Sequence, residues 1–206
     1  MKTPTHAVTG WLIARFFGLS PKNTRAVIAG ASVPDLPVIA VGTVLCAVCH
    51  TNGRTDLFKP MMDAFYFGDT LLRDAHSFLH SPANLVLILV AAVLMSPFYQ
   101  RLSEWSCHFV FGAVSHAFLD ILTHVEDAPL LVWPFSKEVR WPGPVSHWDH
   151  RHFGEVVTAG EICLWFAFVV YFALAALNGG PGPVNHAVSF GERKPGRGRC
   201  RQGGSP

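Results

Sequence analysis

Charge is scarce in this chain. Asp, Glu, Lys and Arg make up only 15% of its 206 residues, and the formal net charge is +2. So small an excess does not make the electrostatic footprint of a nucleic-acid binder, and no nucleic-acid partner is expected. The basic residues that do cluster, Arg193, Lys194, Arg197, Arg199 and Arg201, crowd the last stretch. The five cysteines, Cys46, Cys49, Cys107, Cys163 and Cys200, are scattered, which argues against a disulfide framework. No internal repeat is visible. A secretory signal is not expected either. Only Lys2 precedes the first apolar run, His6 and Arg15 lie inside it, and no small-residue cleavage site follows.

What the chain has instead is apolar length. Half of its residues are hydrophobic and its mean hydropathy is +0.31. Leu164-Trp-Phe-Ala-Phe-Val-Val-Tyr-Phe-Ala-Leu174 carries no charge. The surrounding stretch, residues 155–177, is long enough at ~1.5 Å per residue to cross ~30 Å of hydrocarbon. A buried helix of a soluble protein is the plainer alternative. Apolar segments recur at residues 5–19, 25–48, 83–99, 107–124 and 156–177. The expected fold is all-α, a polytopic helical membrane bundle of about four to five apolar helices. It occupies residues 1–177, followed by a disordered basic tail at 178–206 rich in Gly and Pro. The second segment is broken by Val33-Pro34-Asp35-Leu36-Pro37. Broken helices are tolerated at membrane depth only where they line a cavity or pack on protein. Residues 51–75 read as a mixed, amphipathic connection. Residues 125–154, with Trp133, Trp141 and Trp148, read as a loop at the membrane interface.

Alternating crossings put Lys22, Arg25, Arg101 and the tail on one face, which the positive-inside rule makes cytoplasmic. The same threading collects the misplaced polar residues in the other half of the membrane. His6 opens the first segment, and Asp35 interrupts the second. His76 and His80 precede the third, and His116 and Asp120 approach the end of the fourth. Burying ionisable groups in an apolar setting costs several kcal/mol unless they are paired or bind an ion. His and Asp are metal-binding types. His116 and Asp120 are one helical turn apart, so they face the same way, and Thr123 and His124 continue that face. His76 and His80 share this spacing, which lets two imidazoles reach one ion. Each pair has a plainer alternative: a self-satisfied His–Asp bridge, or an interfacial His pair with no ligand.

Two further motifs compete. His147-Trp-Asp149-His150-Arg-His152 can bind metal but reads first as a solvated loop. Cys46-Ala-Val-Cys49-His50 matches the c-type haem attachment pattern, with Met61 or Met62 as a second axial ligand. The same cysteines could form a strained disulfide, but they read first as small helix-packing residues.

Taken together, these residues resemble the YdjM-like family of membrane-bound, metal-dependent hydrolases. The resemblance begins at Pro4-Thr5-His6 with Gly10 and continues at Gly30, Pro34-Asp35 and His80-Ser81. It is strongest at Gly112-Ala-Val-Ser-His116-Ala-Phe-Leu-Asp120-Ile-Leu-Thr123, followed by Pro129-Leu-Leu-Val-Trp133-Pro-Phe-Ser136. The chain departs from the family pattern where Leu36 and Pro37 follow Asp35 in place of a second Asp. It departs again at His76, which no Arg follows, and at Leu79, where Thr is usual. The resemblance implies an integral protein of the bacterial inner membrane with hydrolase activity. It also implies a divalent ion held by scattered His and Asp residues, with zinc expected from a more distant similarity to zinc-dependent phospholipase C-type enzymes. On this reading His6, Asp35, His76, His80, His116 and Asp120 are the metal ligands, and Asp35 or His76 is the general base. The substrate is an ester or phosphoester of an amphiphilic, lipid-like molecule. The alternative is a non-catalytic metal-binding or ion-transport membrane protein, and behind it a haem carrier.

Overall fold

Proline starts many of the helices, because its missing N–H is unneeded in a first turn and its φ is already helical. The structure is a computed structural model and describes residues 1–68 and 71–178. The expected disordered tail lies, apart from Asn178, outside the described residues. Among the described residues there are eight α-helices and no β-strand, only an isolated bridge between Leu130 and Arg140. They are α1 (Thr3–Phe16), α2 (Pro21–Ser32), α3 (Leu36–Thr51), α4 (Phe58–Phe67), α5 (Leu71–His80), α6 (Pro82–Leu94), α7 (Gln100–Thr123) and α8 (Gly154–Leu177). Prolines occupy the first turn of α1, α2, α3 and α6. The all-α membrane bundle expected from the sequence is the observed fold.

Three stretches are long and apolar enough to cross a membrane: Pro21–Thr51, which is α2 and α3 together, then α7 and α8. A fourth appears if α5 and α6, bent by 63° at their junction, count as one span. Two expectations change here. The first apolar segment forms a helix of only 14 residues, too short to span alone. The third ends at Leu94 and gains its length from α5, an amphipathic helix that starts inside the stretch read as a connection and runs past it to His80. That stretch also folds α4.

Both helix junctions have a proline cause. Between α2 and α3, Val33–Asp35 tightens into one 3₁₀ turn around Pro34 and Pro37, and Asp35 sits at its end. Between α5 and α6, Ser81 is extended ahead of Pro82, as residues before proline prefer to be, and His80 sits at the bend. The Ser81 hydroxyl lies within hydrogen-bond distance of the Leu131 (3.0 Å) and Trp133 (2.9 Å) carbonyls. This pins the loop after α7 against the bend.

The tightest helix contact is α2 against α7. A Cβ on Gly30 would overlap the Phe109 carbonyl, and one on Gly112 would overlap the Val27 carbonyl. Small residues let backbones approach in a setting where lipid already solvates apolar side chains. Ala26, Val27, Ala31 and Ala113 are fully buried beside this crossing. Beyond it, Leu85, Val110, Ala113 and Ala117 form an apolar core between α6 and α7. At the end holding Lys22, the α2 and α7 starts are tied by Asn23 donating to Glu104 at 2.9 Å. Lys22 stands 3.8 Å from the same carboxylate.

Candidate metal centre

The helix geometry delivers four chemistry-bearing side chains to one point. His116 and Asp120 come from the last turns of α7, Asp35 from the α2–α3 junction and His80 from the α5–α6 bend. One ligand atom from each lies within 4.8 Å of every other, a group that can hold a metal ion. His80, His116 and Asp120 are buried, and Asp35 is partly open. Asp120 Oδ2 lies 3.0 Å from His116 Nε2 and 3.3 Å from His80 Nε2. Asp35 Oδ1 lies 3.4 Å and 3.6 Å from the same two nitrogens. The Thr3 hydroxyl donates to Asp35 Oδ2 at 2.5 Å and fixes that carboxylate from α1.

The donor set can be tested against a cation. His116 Nδ1 donates to the Ala31 carbonyl at 2.8 Å, and His80 Nδ1 donates to the His76 carbonyl at 2.7 Å. A carbonyl only accepts, so each neutral ring carries its hydrogen on Nδ1 and a lone pair on Nε2. These two Nε2 atoms face each other at 2.9 Å. Two lone pairs and two carboxylates at that distance require a shared positive charge. An outer hydrogen bond that fixes the tautomer and turns the other nitrogen inward is the usual support of a metal-binding histidine. The residues fit a divalent ion.

His6 and His76 flank this group differently. The fully buried His6 ring stacks on His116 with centroids 3.7 Å apart, and its Nε2 lies 3.1 Å from Asp120 Oδ1. His76 lies flat on His80, with centroids 3.6 Å apart. It stands beside the four-residue group rather than in it, so the i, i+4 pair does not turn both imidazoles to one point. His76 instead lines a cavity of about 750 Å³ together with Asp35, Ile39, Met62, Tyr66 and His147.

Several residues at the site carried little or no sequence signal. His124, four residues past Asp120, lies 3.4 Å from its Oδ1 and 2.9 Å from Asp127 Oδ2. Only its place on the α7 face hinted at this. His147 reaches the cavity from the loop and packs on His124 with centroids 4.6 Å apart. Burial, the Met1 amino group and His124 together bring its pKa down to about 4. Burial would raise Asp127, but the hydrogen bond and charge of His124 and the Trp148 indole hold it below its ordinary value. Asp149 is buried, accepts from the Arg151 backbone at 3.0 Å and is clasped by the Arg151 side chain. The His147–His152 segment is therefore only partly the solvated loop its composition suggests: Trp148, His150 and Arg151 are exposed, while Asp149 is buried. Cys46 and Cys49 are free thiols on α3, so the disulfide alternative does not hold.

Glu161 on α8 also escaped notice as a site-building residue. It is buried and accepts from the Lys2 backbone (2.8 Å), Lys2 Nζ (2.9 Å) and the Thr5 hydroxyl (2.9 Å). Trp165 donates to the same hydroxyl at 3.0 Å. This latch positions the start of α1, which carries Thr3 and His6.

Apolar helices closing around a buried His/Asp cluster define an all-helical membrane protein with an internal site able to hold a metal ion. The family model described as YdjM inner membrane protein matches residues 1–180, and the chain belongs to that family. No curated protein and no solved structure matches the chain significantly.

Proposed function

We propose that the protein is a membrane-bound, metal-dependent hydrolase acting on an ester or phosphoester of an amphiphilic, lipid-like substrate. The observation that carries this reading is the pair of inward Nε2 lone pairs, His80 against His116, beside two carboxylates. Asp35, His80, His116 and Asp120 would hold the ion, with zinc the expected metal. A divalent ion there supplies Lewis-acid polarisation of the scissile ester or phosphoester oxygen. Asp35 faces the cavity with one oxygen held by Thr3, and His76 lines the same space. Either is placed to take the proton of an attacking water. Met62, Ile39 and Phe67 supply apolar wall beside Lys59 and Asp63, a mixture suited to a headgroup with part of a chain.

An ion pathway is the competing reading. The apolar core of Leu85, Val110, Ala113 and Ala117 closes the bundle beyond the site and favours a hydrolase over a through-path. A haem on Cys46 and Cys49 gains no support from the site, since Cys46 and His50 line a different groove and Cys49 is buried. The bilayer is the expected partner, and the inner membrane the expected location. α8 runs parallel to α1, from the Lys2–Glu161 contact to the packing of Tyr171 on Trp11. This supports reading the end of α8 as lying with Lys22 and Arg101, the face expected to be cytoplasmic.

Detergent-purified protein should carry bound divalent metal and cleave micellar ester or phosphodiester probes. Metal without any hydrolysis would shift the reading to a non-catalytic binder, and neither would end it. Labelling Glu138→Cys and Ser205→Cys in whole cells should report opposite sides; equal access would refute the orientation.

A further inference from the structure

The two oxygens of Asp120 face different histidines. Oδ2 faces His80 and His116, within the four-residue group. Oδ1 faces the other way, 3.1 Å from His6 Nε2 and 3.4 Å from His124 Nε2. We propose a second divalent-cation position on the Oδ1 side, held by His6, His124 and Asp120, with the Asp120 carboxylate bridging the two ions. This rests on the reading of the first position as a metal centre.

Three observations carry the second position. His6 is fully buried, its Nδ1 has no hydrogen-bond partner, and its Nε2 meets only Asp120 Oδ1, at 3.1 Å. A buried imidazole so poorly satisfied is costly, so its inward nitrogen is expected to serve a ligand. His124 Nδ1 stands at ion-pair distance, 2.9 Å, from Asp127 Oδ2, and its Nε2 is turned toward Asp120 at 3.4 Å. Finally, the Met1 nitrogen rests in this corner, 2.7 Å from Asp120 Oδ1, 3.2 Å from His124 Nε2 and 3.3 Å from the Thr123 hydroxyl. The corner therefore accepts a positive group at the proposed place, and an ion would displace that nitrogen or recruit it.

A carboxylate bridging two ions about 3.5–4 Å apart is the arrangement that clamps both the attacking and the leaving oxygen of a displacement. A phosphodiester, with one negative charge shared over two non-bridging oxygens, matches two positive centres better than a neutral carboxyl ester does. The two-ion arrangement thus narrows the substrate class.

The test is metal stoichiometry on the full chain in detergent, loaded with Zn(II) and separately with Mn(II). The wild type should hold two ions per chain, and its Mn(II) form should show an exchange-coupled resonance spectrum. His124→Ala should hold one ion and lose the coupling. Asp127→Asn leaves every donor in place and should weaken the second ion about ten-fold or more. This milder variant keeps the comparison available should His124→Ala fail to fold. One ion in the wild type, uncoupled, overturns the second position and leaves the first standing. No ion at all overturns both.

Discussion

Helices α7 and α8 are both 24 residues long, yet they join the bundle by opposite means. α7 buries Gly112, Ala113, His116, Ala117 and Asp120 along one face and meets α2 backbone to backbone. α8 buries only Gly154 and Glu161, and leaves Val156, Phe166, Val169 and Leu174 outward. In water such exposure would be a defect. In lipid it costs nothing, because acyl chains solvate an apolar face as well as another helix does. What remains to hold helices together is close fit, as in α7, or a polar contact that lipid cannot replace, as at Glu161. The metal site depends on both. Fit sets the Ala31 carbonyl against His116, and the polar latch sets Thr3 and His6 against Asp35 and Asp120.

The strongest way to break this comparison is at the α2–α7 crossing. Gly112→Val places a side chain on the Val27 carbonyl, where backbone has to give way. A loss of at least about 3 kcal/mol is expected, with bound metal lost too. A variant with unchanged melting temperature and metal content would mean that close fit is not what holds α7.

His116→Ala tests the site while leaving the helix sound, since alanine is a good helix former. Bound metal and any hydrolysis should fall by an order of magnitude or more. If His116 is only Asp120's structural partner, the melting temperature drops instead while metal content stays the same.

Glu161→Gln sharpens the contrast, because it keeps the shape of the latch and removes its charge. Three hydrogen bonds weaken, including the pair to Lys2, so a loss of roughly 1–3 kcal/mol is expected. Metal affinity should fall less than in His116→Ala, because the latch acts through α1. An effect equal to that of His116→Ala would place Glu161 nearer the chemistry than its contacts do. The smallest effect belongs to Trp165→Phe, which removes one hydrogen bond to Thr5 within the membrane and should cost about 0.6 kcal/mol. Thermal denaturation in detergent reads both latch variants against each other.

Much of the site was legible because helical spacing is local. Residues four apart on one helix share a face whatever the rest of the chain does, so His116 and Asp120 declared their pairing. The prolines around Asp35 announced a helix break, while the bend at Pro82 was not foreseen. His76 shows where that reasoning stops. Its spacing to His80 is right, but its ring stacks flat, because side-chain rotation depends on the cavity wall it meets. His147 stood in a His-rich motif that reads first as a solvated loop, since its place beside His124 depends on how a 30-residue loop folds back.

The sequence by itself determined that the chain is helical, belongs in a bilayer and concentrates His and Asp toward one end. Those properties follow from apolar run length, proline placement and the 3.6-residue period, none of which needs a distant contact. Only the tertiary structure decided which oxygen of Asp120 faces which histidine, that His124 and Asp127 support the site, and that Glu161 fastens α8 to α1. Those are meetings between residues 3 to 159 positions apart, most of them far apart in the chain. They exist because Gly30 and Gly112 let two backbones touch and because a buried carboxylate in lipid must find its partners within the protein.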